Sequence, residues 1–587
     1  MSRRIGLWSL VLSLPILAIA GSASAQPPQV QYFHPSHVTI GSTAELELMG
    51  QQLDSIDRFY SAQSDLEVRP VGKGKAAVVV GNVSAGDRDV WAASPGGTMA
   101  PARLTVGTWP THTEVEPNAT VAQAQEVVLP TVVCGRIEPG TDVDWYRVQL
   151  QAGDGLTLSC RSTTLGGTLQ PTIIVVDPSG REVAHDSLLQ LEPAVHVEAK
   201  ESGIYAICVQ DRSYRTTPAP FYQLSLTTGP WIVGAYPPTV EKGTYHVIQL
   251  YGYRLPSGEA LAGDGSLQRQ TAERTMPNSI PTVGQGWMLT RSLFIDALEF
   301  QFSPEAGGVA RFEVLNRAVQ DSPAETSGGD SKSATLRELP FDVVNQFASP
   351  REVVHWYRFR AQAGRTYSLE AVAERIDRTC DLELIVHDGA GKILESIGNY
   401  TTPKDLATEL TMDSRDPIGT WKAPADGEYL LAVRDLLGTA MPTVERAYRL
   451  SVGLRPEEVR VVVQLDAGGA ANGWTVKAGG TLNLSLVALR RGGHEAPIEV
   501  RAEALPPGVT IAPVTIAAKQ ATGVLKISAD KSAAAWIGAI RLTAATQADG
   551  KPTTMEVRAV ARSTPAVPGG ARVYGEPVIA IAPIGKK

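Results

Sequence analysis

The chain has 587 residues, too many for one hydrophobic core and enough for four to six domains of ~100–150 residues. Its 55 glycines and 40 prolines exceed what long helices tolerate and fit many short strands joined by turns. A formal charge of −8 offers no basic patch for nucleic acid, and no run of 18 apolar residues after the N-terminus would span a membrane.

The N-terminus reads as a targeting segment. Arg3 and Arg4, an apolar stretch from Ile5 to Ala20, and Ala23, Ser24 and Ala25 before Gln26 form the three regions of a secretory signal. The expected mature chain starts at Gln26 and is secreted, periplasmic or displayed on the cell surface. Arg3 and Arg4 also suggest the twin-arginine route, but Gly6 stands where that signal prefers a bulky apolar residue.

Residues 26–109 alternate short apolar runs with turns, as an immunoglobulin-like sandwich does. Pro35, Val38, Gly41, Leu48, Gly50 and Leu53 return at one constant offset as Pro237, Val240, Gly243, Leu250, Gly252 and Leu255. Residues 230–336 therefore form a second copy of this module. The pattern resembles the opening of an IPT/TIG immunoglobulin-like domain. Within the second copy, Pro256 to Gly286 reads as a long polar loop and Asp321 to Lys332 as a linker.

Residues 110–229 centre on Asp142, Val143, Asp144, Trp145, Tyr146 and Arg147. Trp145 and Arg147 fall on one face of the predicted strand, and Tyr146, Val148 and Leu150 on the other. Strands are expected again at Leu156 to Cys160, Thr172 to Val176, Gly203 to Val209 and Tyr222 to Leu226. Glu116, Pro117 and Asn118, the Gly135/Arg136/Ile137 strand, the Asp144/Trp145/Tyr146 strand, the Asp177 to Gly180 turn and Gly203/Ile204/Tyr205 together resemble a bacterial pre-peptidase C-terminal domain. That resemblance implies a jelly-roll-like β-sandwich that accompanies secreted enzymes without being catalytic.

Residues 337–454 repeat it. Trp145, Tyr146, Arg147, Ala152 and Gly153 return as Trp356, Tyr357, Arg358, Ala363 and Gly364, and Gly203, Tyr205 and Asp211 as Gly427, Tyr429 and Asp435, after an insertion around Asn399 to Arg415. Residues 455–562 hold a fifth module, whose Leu505 to Thr510 turn resembles bacterial immunoglobulin-like domains. Residues 563–587, rich in Pro and Gly, are expected to be a flexible tail. The expected architecture is all-β, an extended string of five sandwiches.

Glu114, Glu116 and Asn118 place oxygen-bearing side chains on alternate residues of an extended segment, and Asp142 and Asp144 do so at the start of the central strand. If these ends meet, they supply most of the six to eight oxygens that calcium takes. The resemblance implies the same, since collagen-binding relatives carry calcium sites of this layout; Ala119 stands where those relatives have an acidic ligand. A solvated acidic turn is the competing reading. In the second copy, Val353 and His355 replace Asp142 and Asp144, so calcium is expected only in the first.

Of four cysteines, three lie in the first pre-peptidase-like module. Two readings stand, a bridge between Cys160 and Cys208 or small buried hydrophobes. Trp145 and Trp356 are either rim packing or stacking platforms. The nine histidines include no HExxH pair, and there is no GxSxG elbow, phosphate-cradling loop or dinucleotide fingerprint. The expectation is a non-catalytic binding or scaffold protein whose partner is an extracellular protein or polysaccharide. An accessory subunit for a secreted protease or glycoside hydrolase, and a cryptic hydrolase, are the alternatives.

Overall fold

The computed structural model describes residues 26–138, 142–186, 192–213, 219–261, 264–278, 293–300, 303, 305–322, 331–347, 349, 351–402, 410, 412–438, 446–465, 472–561 and 572–584. The expected signal, residues 1–25, lies outside them, as do residues 323–330 of the expected linker. The fold is all-β: strands and single 3₁₀ turns make up every regular element among the described residues.

Five apolar cores follow one another along the chain, the first four each between two sheets and the fifth among three. In the first module the sheet Gln29–His34, Thr43–Gln51, Lys75–Val80 and Leu66–Gly72 packs Phe33, Leu46 and Val78 against Val90, Leu104 and Val106 of the other sheet. The third module repeats the order with Trp231–Tyr236, Tyr245–Tyr253, Asp264–Thr275 and Glu259–Leu261. The stretch expected to be a long loop thus contains a 12-residue strand, Asp264–Thr275, paired along Tyr245–Tyr253. Its polar side chains hid it: the backbone pairing needs few apolar residues, and here Ala272 packs on the core while Leu267 joins a small cluster on the opposite face. Residues 279–286 of that stretch lie outside the described residues.

The second and fourth modules share one topology. One sheet runs Thr111–Thr113, Thr131–Arg136, Phe221–Thr227, Gly155–Arg161, Ala194–Glu198; its counterpart runs Gln320–Asp321, Phe341–Gln346, Ala447–Gly453, Thr366–Val372, Ser414–Lys422 and adds a sixth strand, Asn399–Tyr400, from the insertion. The facing sheets run Gln125–Glu126, Val143–Leu150, Gly203–Asp211, Pro171–Val176, Glu182–Asp186, and Leu336–Arg337, Val354–Ala361, Gly427–Asp435, Leu382–His387, Ile393–Ile397. In each central strand, alternate residues enter the core: Tyr146, Val148 and Leu150 in one, Tyr357, Phe359 and Ala361 in the other. The parity of the pleat also carries Asp144 and His355 inward, and both are fully buried.

Two expectations change. The described part of the expected tail, residues 572–584, is packed, because Val578–Ala582 forms the middle strand of a three-stranded sheet, parallel to Trp474–Lys477 and antiparallel to Trp536–Ala539; residues 563–571 and 585–587 lie outside the described residues. All five of its residues are buried. Burying an aliphatic side chain stabilises by ~1.5–3 kcal/mol, which outweighs ~1–2 kcal/mol per residue of lost backbone freedom. The chain is also not an extended string. Its fifth module folds back on the first, where Trp91 Nε1 donates to Asn472 O at 2.7 Å.

Candidate metal centre

The site is built where the entry segment of the second module docks on its central strand. Thr111–Thr113 runs parallel to Thr131–Arg136, and Glu114 continues the pairing with its N–H on Cys134 O at 3.0 Å. The Glu114 carboxylate accepts the Arg136 N–H at 2.7 Å through Oε2 and the Asn118 amide at 3.1 Å through Oε1. Glu116 Oε2 accepts the Asn118 N–H at 2.9 Å, and Asn118 O accepts the Trp145 N–H at 2.9 Å. These bonds tuck Asn118 entirely out of solvent beside Asp144.

Asp144 Oδ2 accepts the hydroxyl of Tyr222, whose oxygen lies 2.5 Å from Tyr146 Oη. Asp144 Oδ1 and Asn118 Oδ1 are buried and have no hydrogen-bond partner. Each such orphan costs ~1–3 kcal/mol. Glu114, Glu116 and Asp144 each offer an oxygen, and these oxygens lie within 4.8 Å of one another. That limit falls within the ~4.6–5.2 Å that twice a calcium–oxygen distance of ~2.3–2.6 Å spans.

Burial, and then the Glu114 charge, pushes the Asp144 carboxyl up to about 10; burial raises Glu114 as well. Two carboxylates this close cannot both ionise cheaply without a counter-charge. A hard divalent cation would supply it and would also satisfy both orphaned oxygens. The residues present therefore fit calcium: Glu114, Glu116 and Asp144 as carboxylate ligands and Asn118 as an amide oxygen.

Asp142 corrects the expected five-residue set. It is not in the cluster; its Oδ2 accepts the Glu138 N–H at 2.6 Å. The alternation that carries Asp144 inward starts only with the strand at Val143, one residue after Asp142. Tyr222 and Tyr146 went unnoticed as functional residues, although Tyr146 shares the pleat parity of Asp144.

The Cys160–Cys208 bridge is not made. All four cysteines are buried, and none is in a disulfide. Cys160 points into the core, whereas Cys208 sits between the inward-facing Ile207 and Val209 and so lies on the opposite side of its strand. Burial raises the thiol of Cys160 and pushes that of Cys208 up to about 12, as inert small hydrophobes require. Trp145 and Trp356 are half-buried on the sheet faces away from the cores, and Trp356 lies against His387 with ring centres 5.0 Å apart. His37 is bonded to Thr111 at 2.8 Å and buried in the joint between the first two modules. No helix among the described residues is long and apolar enough to cross a membrane.

No family model matches the sequence, and no curated protein matches it. Several solved structures are similar in part, two of them as follows. A β-glucuronidase from Bifidobacterium dentium, complexed with coumarin-3-O-glucuronide, is 14% identical over 38% of this chain and 42% of that one, with a TM-score of 0.19. The native conformation of E. coli alpha-2-macroglobulin is 10% identical over 93% of this chain and 39% of that one, with a TM-score of 0.14. The chain thus spans well under half of either protein, and scores this low carry no argument about fold or activity.

Proposed function

We propose that the protein is a secreted, non-catalytic scaffold whose first pre-peptidase-like module binds one calcium ion through Glu114, Glu116, Asn118 and Asp144. The observation that carries the calcium reading is the pair of buried, unpartnered oxygens, Asn118 Oδ1 and Asp144 Oδ1, beside two further carboxylates. The secretory pattern of residues 1–25 and the absence of a recognisable catalytic motif support the remainder. When bound, the ion supplies charge neutralisation and a rigid cross-link. The chain's own residues do the positioning: Arg136 orients Glu114, Tyr222 orients Asp144, and Trp145 N–H holds the entry segment through Asn118 O.

The site lies next to the joint with the first module, because Arg136 also reaches Met49 Sδ at 4.0 Å. Fixing Glu114 therefore stiffens the angle between two binding surfaces. Calorimetric titration of the full chain with calcium, together with thermal melts in calcium and in chelator, tests the reading. The expected result is one site per chain, a stabilisation of ~2.7 kcal/mol at a hundredfold excess over Kd, and loss of both in Asp144→Asn. No heat and no shift in the wild type, or an equal shift in the variant, would overturn it.

A further inference from the structure

The five modules meet at joints of very different chemistry. The first and second share a stacked pair, Tyr32 and Phe221, with ring centres 4.5 Å apart, and a half-buried Arg161–Asp87 ion pair at 2.8 Å. The third and fourth share the buried Arg449–Glu313 pair at 2.6 Å and an apolar cluster of Ile295, Ala297, Val372 and Ile376. The fourth and fifth share Leu410, Met412, Val462 and Leu489, and Glu370 binds Arg455 of the connecting segment at 3.2 Å and Arg491 of the fifth module at 3.6 Å.

The seam between the fifth and first modules is different. No peptide chain links these two directly, and none of the apolar clusters among the described residues contains residues of both. What holds it is a short set of hydrogen bonds. Trp91 Nε1 donates to Asn472 O, Thr98 N–H to Thr475 Oγ1 at 2.9 Å, Thr475 Oγ1 back to Thr98 O at 2.9 Å, and Ala539 N–H to Tyr60 Oη at 3.2 Å. These bonds cap both outer strands of the small sheet that Val578–Ala582 completes. The approach is close: a Cβ on Gly97 would lie 2.2 Å from Thr475 Oγ1. Nearby, Arg572 and Arg103 both donate to Thr164 O, which sets two guanidinium groups on one acceptor.

We propose that this seam is a clasp that opens and closes in solution, converting the closed chain into an open one while the third, fourth and fifth modules stay joined. Hydrogen bonds exchanged for bonds to water contribute only ~0.5–1.5 kcal/mol net each. The joints with apolar clusters lose them when they part; this seam covers the indole of Trp91 and the outward face of Val578–Ala582, and no apolar cluster among the described residues spans it. Opening frees the Ala539 N–H on the Trp536–Ala539 edge of the small sheet, and an unpaired strand edge is a natural place for an added strand.

Hydrogen exchange on the full-length wild type tests the clasp directly, since the N–H groups of Thr98 and Ala539 have their partners across the seam. Exchange of the peptides carrying them is expected to be correlated and about tenfold faster than in peptides at the third–fourth joint. Thr475→Arg, a wedge on a half-buried position, is expected to raise the radius of gyration measured by X-ray scattering without lowering the main melting transition. Should that variant misfold, Trp91→Phe removes the indole donor alone and is expected to speed exchange at both reporters. Equal protection at the seam and at the third–fourth joint, or unchanged exchange at Ala539 in Trp91→Phe, would overturn the clasp.

Discussion

The second and fourth modules solve one buried position in two ways. In the second, Asp144 binds Tyr222, which meets Tyr146. In the fourth, His355 Nδ1 lies 2.7 Å from Tyr448 Oη, which lies 2.7 Å from Tyr357 Oη. The tyrosine pair is kept and the inward residue changes. So does its surroundings: His355 stacks on Phe347 at 4.3 Å and places Nε2 3.0 Å from Glu352 Oε1. The entry segment changes too. Ser322 donates its N–H to Val344 O at 2.9 Å as Glu114 does to Cys134 O, so a hydroxyl stands where the first copy has a carboxylate. Gly135, whose Cβ would lie 2.4 Å from the Tyr222 ring, is matched by Asn345, which donates to Tyr357 Oη at 3.0 Å. The fourth module fills this position with an imidazole that has a carboxylate, Glu352, beside its one unbonded nitrogen, whereas the second leaves two acceptor oxygens with no donor.

The most severe break of this comparison is His355→Asp. It places a carboxylate beside Glu352 with no Glu114 counterpart, and a buried unpaired charge costs ~3–5 kcal/mol. Differential scanning calorimetry of the full chain is expected to show the fourth module melting early, with no recovery in calcium; recovery would mean that this module too can host the ion. Asp144→Asn comes next. It removes the calcium increment of ~2.7 kcal/mol and leaves the chelator-treated protein near wild-type stability, because neutralising Asp144 relieves its repulsion with Glu114.

The repeats and strand parity of these modules were legible because alternation is local: Tyr146, Val148 and Leu150 mark the core face by themselves. The same rule, extended one step toward the N-terminus, would have placed Asp144 inside. Which acidic residues converge was only half legible. Glu114 and Asp144 meet through the pairing of Thr131–Arg136 with Phe221–Thr227, whereas Asp142 turns away into a bond with Glu138 that no spacing announces. Val578–Ala582 was hidden by the surrounding prolines and glycines, since its partners, Trp474–Lys477 and Trp536–Ala539, are distant in sequence.

Removing the shared hydroxyl sharpens the contrast at a smaller scale. Tyr222→Phe leaves Asp144 Oδ2 without its donor, and Tyr448→Phe leaves His355 Nδ1 without its partner, each at ~1–3 kcal/mol. Calcium is expected to return most of the loss to Tyr222→Phe and none to Tyr448→Phe, as read from melts with and without chelator. Equal responses would mean that the ion does not touch Asp144.

The immunoglobulin-like copies differ in a titrating group. His37 pairs with Thr105 where Thr239 pairs with Glu313, and Thr239 Oγ1 donates to Glu313 Oε2 at 2.8 Å. Burial lowers His37 to about 4, and His34 likewise, so both are neutral in the folded first module. In the unfolded chain a histidine titrates near ~6.5. Between those values the unfolded state binds a proton that the folded state refuses, so stability falls as pH drops from ~6.5 to about 4, by ~1.4 kcal/mol per pH unit for each histidine. Above ~6.5 both states are neutral and the dependence vanishes. His37→Thr, which copies the third module, is expected to remove about half of that slope in denaturant titrations of the first module. An unchanged slope would place the acid sensitivity at His34 alone and leave His37 as a neutral hydrogen-bonding strut to Thr111.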